Sequence, residues 1–192
     1  GRISRQDRVT HRVLAGGVSN KTVLVQRPDG TQWVLKQALE KLRVKIDWHS
    51  SPERIHREAA GMRALSTLVQ DSITPFIFED FDHHILAMQA VPEPHANLKT
   101  LLMQGQVKQR WFEQLADLLA AIHGGAWDQR AVLAPQFGER GFFESLRIEP
   151  YYTYSVTHEP RLAGFIGGLI EETRSKSLTL AHGDFSPKNV LV

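Results

Sequence analysis

Cysteine is absent from this chain of 192 residues, so neither a disulfide framework nor thiol chemistry is available to it. No apolar run approaches the roughly 18 residues that a membrane-crossing helix needs. The first residues, Gly-Arg-Ile-Ser-Arg-Gln, hold no hydrophobic signal segment. No membrane partner is therefore expected, and the cytoplasm is the expected compartment. Excess charge of one sign is missing too. Lysine and arginine total 23 against 21 acidic residues, and a net charge of +2 does not argue for a nucleic-acid partner. There is no internal repeat and no low-complexity stretch. What remains is an ordinary globular composition, 42% hydrophobic and 23% charged, of a length that suits one domain or about one and a half. Nothing in it points to an oligomeric state.

The first part of the chain reads as short strands. Val9 to Ala15 is followed by Gly16-Gly17-Val18-Ser19-Asn20 and a second strand, Thr22 to Val25. Arg27-Pro28-Asp29-Gly30 is a turn by composition, and Thr31 to Gln37 is a third strand. Two strands joined by a glycine-rich turn can lay backbone N–H groups over a phosphate, because glycine has no side chain to hold the anion away. The same turn can also be a plain hairpin, with Ser19 capping either a phosphate or the turn. Lys36 closes the Trp-Val-Leu-Lys run, where a lysine can reach nucleotide phosphates. Leu39 to Ser50 is basic and irregular. Ser51-Pro52-Glu53 then opens a helix, with Ile55, Ala59, Met62, Leu65 and Val69 at helical spacing. Glu58 borders that buried stripe. It can pair with Arg54 one turn earlier or with Lys36, and beside the other signals the Lys36 pairing is the expected one.

Phe76 to Phe81 and Ile85 to Gln89 are two more strands around an Asp-His-His turn. Adjacent histidines in a strand point opposite ways, so His83 and His84 are expected in a solvated turn rather than at a metal. The chain then divides into a nucleotide-binding lobe over 1–89, a proline-containing linker over 90–96 and a helical lobe over 97–192. In the second lobe Asn97 caps a helix from Leu98 to Gln104. Gln106 to His123 is a strong amphipathic helix, expected to close at Gly124-Gly125. Trp127 to Arg147 is expected to be loop with short helical pieces. Pro150-Tyr151-Tyr152-Thr153-Tyr154 is an aromatic cluster that either lines a pocket or braces a loop. Arg161 to Ser175 is a last helix.

The final eleven residues carry the chemistry: His182-Gly183-Asp184-Phe185-Ser186-Pro187-Lys188-Asn189-Val190-Leu191-Val192. Apolar runs on both sides, Leu178 to Ala181 and Val190 to Val192, predict strand, loop, strand. Phosphoryl transfer needs a carboxylate that orients the attacking hydroxyl and accepts its proton. It also needs a side-chain oxygen that holds the metal on the phosphates. The spacing His-x-Asp-x-x-x-x-Asn supplies both, in the spacing of a kinase catalytic loop. An ordinary turn, with Asp184 and Asn189 satisfying local backbone, is the plainer possibility for the loop alone.

The ordered set of Gly16 to Asn20, Lys36, Glu58, the linker and His182-Gly183-Asp184…Asn189 resembles the aminoglycoside phosphotransferase and choline kinase-like family of the protein-kinase-like fold. Leu35-Lys36-Gln37-Ala38, Leu42-Arg43-Val44 and Trp48 are also similar to methylthioribose kinases, a narrower match that Asn189 argues against. The resemblance implies a bilobal α+β fold. It would have an antiparallel sheet with one main helix, then a mainly helical lobe. It implies ATP and Mg²⁺ as cofactors and a hydroxyl of a small molecule as acceptor. It implies these roles: Asp184 as the catalytic carboxylate, His182 bracing the loop, Asn189 on the metal, and Lys36, positioned by Glu58, on the α- and β-phosphates. Gly16, Gly17, Ser19 and Asn20 would cover the phosphates, and Lys188 would lie near the transferring group. The family's second metal-binding aspartate follows this loop on the next strand. The chain is therefore expected to continue beyond Val192, and to be inactive or barely folded without that continuation. A second reading is a kinase-like nucleotide-binding or regulatory module without catalysis.

Overall fold

The computed structural model describes residues 8–15 and 17–192. Gly16 lies outside the described residues. The chain forms two compact units that divide between Glu93 and Pro94. The fold is α+β, with the sheet in the first unit and most of the helix in the second. No helix among the described residues is long and apolar enough to cross a membrane.

The first unit is one antiparallel sheet. Its strands are β1 (Thr10–Leu14), β2 (Asn20–Gln26), β3 (Gln32–Ala38), β4 (Phe76–Asp80) and β5 (Ile85–Gln89), in the order β1-β2-β3-β5-β4. Side chains on a strand alternate between faces, so Val34, Lys36 and Ala38 of β3 share one side. That side packs on helix α1 (Arg54–Leu68). Ala38, Leu86 and Met88 of the sheet meet Ile55 and Ala59 of the helix in a buried cluster, with Val34, Met62 and Phe76 around it. Ile55, Ala59 and Met62 recur every three or four residues, which keeps them on one helix face. Lys36 lies between two core residues of its strand face and so points toward α1.

The segment between β3 and α1 is irregular but anchored. Leu42 is buried, and Lys41 and His49 form an isolated bridge. Ser51 accepts the amide of Glu53 at 3.3 Å, and the first turn closes tightly, Arg54 N–H to Ser51 O and Ile55 N–H to Pro52 O. Phe81, Asp82 and His83 in the 80–84 turn are exposed, as expected, and His84 is half-buried. The ring of His84, whose φ is +50°, meets that of His56 on α1 at 3.2 Å, and His56 binds Glu79 of β4 at 2.8 Å.

The second unit holds α2 (Leu98–Met103), α3 (Gln109–Asp128), α4 (Arg130–Phe137), α5 (Gly141–Phe143), α6 (Tyr154–His158) and α7 (Ala163–Ser175). Three expectations are corrected here. Helix α3 does not close at Gly124-Gly125 but runs through both. Neither glycine takes the left-handed conformation that a helix stop needs, and continuing the helix buries Ala126 beside Ile122. The 127–147 stretch is mostly helix rather than loop, and α5 passes through a π-helical segment, Glu144–Thr153, into α6. Its wide turns accommodate Pro150 and bury Ile148. Finally, Leu178 to Ala181 forms no strand, and Leu178 stays exposed. A strand needs a ladder partner. Only the far side of the loop finds one: Leu191 bridges Asn97, and Ala96 and Val192 exchange hydrogen bonds of 2.8 and 2.9 Å.

Candidate active site

The residues singled out by sequence fall into two groups, one in each unit. In the first, Lys36 Nζ donates to Glu58 Oε1 at 2.6 Å, joining β3 to α1. Both side chains are about one-third exposed, which leaves the ammonium reachable from solvent. One of its three protons is engaged by Glu58, and two remain for other oxygens. The arrangement can hold a lysine in place while it meets an anion.

Gly17, Val18 and Ser19 lead from β1 into β2, and Asn20 is the first residue of β2. Gly17 has φ +80°, a conformation that suits glycine. Three bonds tie this turn to the rest of the unit. Arg43 N–H donates to Val18 O at 2.8 Å, Leu39 N–H to Ser19 O at 3.0 Å, and the Arg54 guanidinium also to Ser19 O. Asn20 Oδ1 is buried with no hydrogen-bond partner among the described residues, so it suits a donor such as a hydroxyl and not a phosphate oxygen.

Sequence reasoning treated Arg54 only as an alternative partner for Glu58. In the structure it is buried, and its guanidinium reaches four carbonyls. Nη1 donates to Ser50 O at 2.9 Å and Ser51 O at 3.0 Å, and Nη2 to Leu39 O at 2.8 Å and to Ser19 O. Burial pushes its pKa down, and the Glu58 carboxylate opposes that shift.

The second group is the 182–189 loop. Gly183 has φ +75°, which is why a glycine serves between His182 and Asp184. His182 Nδ1 accepts the Asp184 amide at 3.2 Å, and its ring lies edge-on to Phe185, so His182 positions the loop locally. Pro187–Asn189 is a single 3₁₀ turn, closed by Asn189 N–H to Ser186 O at 2.9 Å. That tight turn brings Asn189 back, and its Nδ2 donates to Asp184 O at 2.8 Å. The amide nitrogen is engaged, and its carboxamide oxygen is the group left to meet a cation. Asn97 both caps α2, accepting from Thr100 N–H at 3.4 Å, and donates to Lys188 O at 2.8 Å. It fixes the loop's outgoing segment to the start of α2.

Asp184 is flanked by two cations. Lys188 Nζ is 2.9 Å from Oδ2 and Arg147 Nη2 is 3.7 Å from the same oxygen. Arg147 also donates through Nε to Gly183 O. Partial burial works to raise the Asp184 pKa. The hydrogen bonds from Lys188 and Asn189 and the charges of Lys188 and Arg147 together outweigh it, and the carboxyl is held below its usual value. It is therefore ionised at neutral pH, ready to orient a hydroxyl. Arg147 was missed by sequence because it sits in the π-helical segment, 36 residues before its partner. The aromatic cluster at 150–154 lies on that segment, with Tyr151 and Tyr154 exposed.

Residues 10–192 match the model of a family described as the phosphotransferase enzyme family. No curated protein matches the chain.

Proposed function

The chain belongs to the phosphotransferase enzyme family, and from that premise we propose that it moves the γ-phosphoryl group of ATP to a hydroxyl of a small molecule. The observation that carries this reading is the loop around Asp184. An ionised carboxylate stands there with a carboxamide fixed beside it and two cations at its rim. That is the donor set which in-line phosphoryl transfer uses. Asp184 would align the acceptor hydroxyl and take its proton. Lys36, held by Glu58, would bind the α- and β-phosphates, and Ser19 and Asn20 amides would cover them. Positioning and charge neutralisation would supply most of the rate.

Magnesium would be held at Asn189. Among the described residues no group of three or more His, Cys, Asp or Glu could hold a metal alone. Asn189 would offer the magnesium ion one hard oxygen, with phosphate oxygens and water completing the shell. Bound there, it would neutralise the charge of the phosphates.

A coupled assay for nucleotide consumption tests the reading. It would contain magnesium and a panel of aminoglycosides, choline, methylthioribose and simple sugars, with Asp184→Ala as control. Turnover with an acceptor in the panel, lost in the control, is the expected result. Turnover that survives in Asp184→Ala would remove the role given to that residue.

A further inference from the structure

Two peptide planes in the 17–20 turn have a fixed orientation. A trans peptide is planar, and its C=O and N–H point in opposite directions. The Val18 carbonyl faces the Arg43 amide, so the N–H of Ser19 faces away from it. The Ser19 carbonyl faces the Leu39 amide and the Arg54 guanidinium, so the N–H of Asn20 faces away from both. Two successive amides are thereby turned to the side opposite the 39–54 segment. Successive amides turned one way form an anion-binding concavity.

Arg54 stands out among the groups that set this orientation. Ser19 O has two lone pairs, and Leu39 N–H and Arg54 take them both. The same guanidinium holds Leu39 O at the end of β3 and Ser50 O and Ser51 O at the start of α1. It therefore joins the turn, the strand that bears Lys36 and the helix that bears Glu58. Arg54 and Glu58 are one helical turn apart, so any displacement of α1 moves the turn's clamp and the lysine's partner together. A planar fork of donors can reach four carbonyls in three segments. The single nitrogen of a lysine cannot.

We propose that Arg54 is a positioning residue for the nucleotide triphosphate. It keeps the Ser19 and Asn20 amides facing the phosphates and ties them to the Lys36–Glu58 pair. The proposal rests on the reading of the 17–20 turn as a phosphate cover.

The test compares ATP with adenosine, which lacks phosphates, by calorimetry on the intact protein and on Arg54→Lys. The expected result is a loss of about tenfold or more in ATP affinity, with adenosine affinity within about twofold of wild type. A general loosening of the fold would weaken both ligands alike. If Arg54→Lys keeps the wild-type ratio of ATP to adenosine affinity, the proposal is overturned while the functional reading stands. If the wild-type protein binds no ATP, both are overturned. Should Arg54→Lys fail to fold, Arg54→Gln, which keeps two donors and removes the buried charge, is measured in the same way. A measurement on the wild type needs no variant: ATP, and not adenosine, should slow hydrogen exchange at the Ser19 and Asn20 amides. Unchanged exchange at both would contradict the proposal.

Discussion

At the scale of single residues, stability and activity separate most clearly at Glu58. Its ion pair with Lys36 is partly exposed, and pairs of that kind contribute about 1 kcal/mol or less to folding. If Lys36 binds phosphate as proposed, the effect of Glu58 on it is larger. Glu58→Gln should lower transfer by roughly tenfold to a hundredfold, with thermal unfolding nearly unchanged, because misplacing a binding group costs more than losing a surface contact. Steady-state kinetics beside a melting curve checks this. Asp184 gives a pH prediction. Its pKa is held below the usual carboxylate value, so transfer should persist as pH falls into the ordinary carboxylate range. Lys188→Met removes a cation 2.9 Å away and should move the acid limb of the pH–rate profile to higher pH. A limb that stays in place would show that Lys188 does not set the charge of Asp184. The Lys36–Glu58 contact was legible in the sequence because Lys36, Glu58 and Asp184 stand in a kinase-like order; periodicity alone only put Glu58 at the border of the buried stripe and left Arg54 as an equal partner. Arg54 and Arg147 were not legible in their roles. Their decisive partners include backbone carbonyls from distant segments, Ser19 O and Leu39 O for Arg54 and Gly183 O for Arg147, and no residue type reports which way a carbonyl points. The one hint was an arginine on the border of the buried stripe, one turn before Glu58.

At the scale of elements, the docking of α1 on the sheet rests on polar contacts as well as on the apolar stripe. Glu79 of β4 is nearly buried and accepts from both His56 and Arg63 of α1. Burial alone would raise its pKa, but those two partners more than offset it, and the pKa lies below its usual value. The sign follows. A carboxylate with a depressed folded pKa contributes its full stability above its unfolded pKa, and loses it as pH falls through the folded one. Glu79→Gln should therefore cost about 1–3 kcal/mol at neutral pH, and the gap to wild type should close in acid. Denaturant unfolding at several pH values measures that gap, and a gap independent of pH would refute the linkage. The five strands and α1 were readable within a residue or two, since each shows its own period. Helix α3 was harder. Gly124-Gly125 looks like a stop, yet burial of Ala126 on the next turn carries the helix on. Leu178 to Ala181 has strand composition without a strand, because pairing is decided by a partner and not by propensity.

At the scale of the whole molecule, two compact units each have their own core. Leu86 is fully buried in the first, between β3 and β4 and against α1, and Ile148 is fully buried in the second. Leu86→Ala should cost about 2–5 kcal/mol, and its loss of hydrogen-exchange protection should be centred on β3, β5 and α1. The division of labour between the units is the central claim. On the proposed reading the first unit would hold the nucleotide through Lys36, and the second would perform the transfer through Asp184. The most direct test measures ATP affinity and turnover side by side in wild type, Lys36→Ala and Asp184→Asn. The account predicts that Asp184→Asn binds ATP nearly as wild type does and turns over none, and that Lys36→Ala loses affinity. Turnover retained in Asp184→Asn, or ATP affinity untouched in Lys36→Ala, would contradict it.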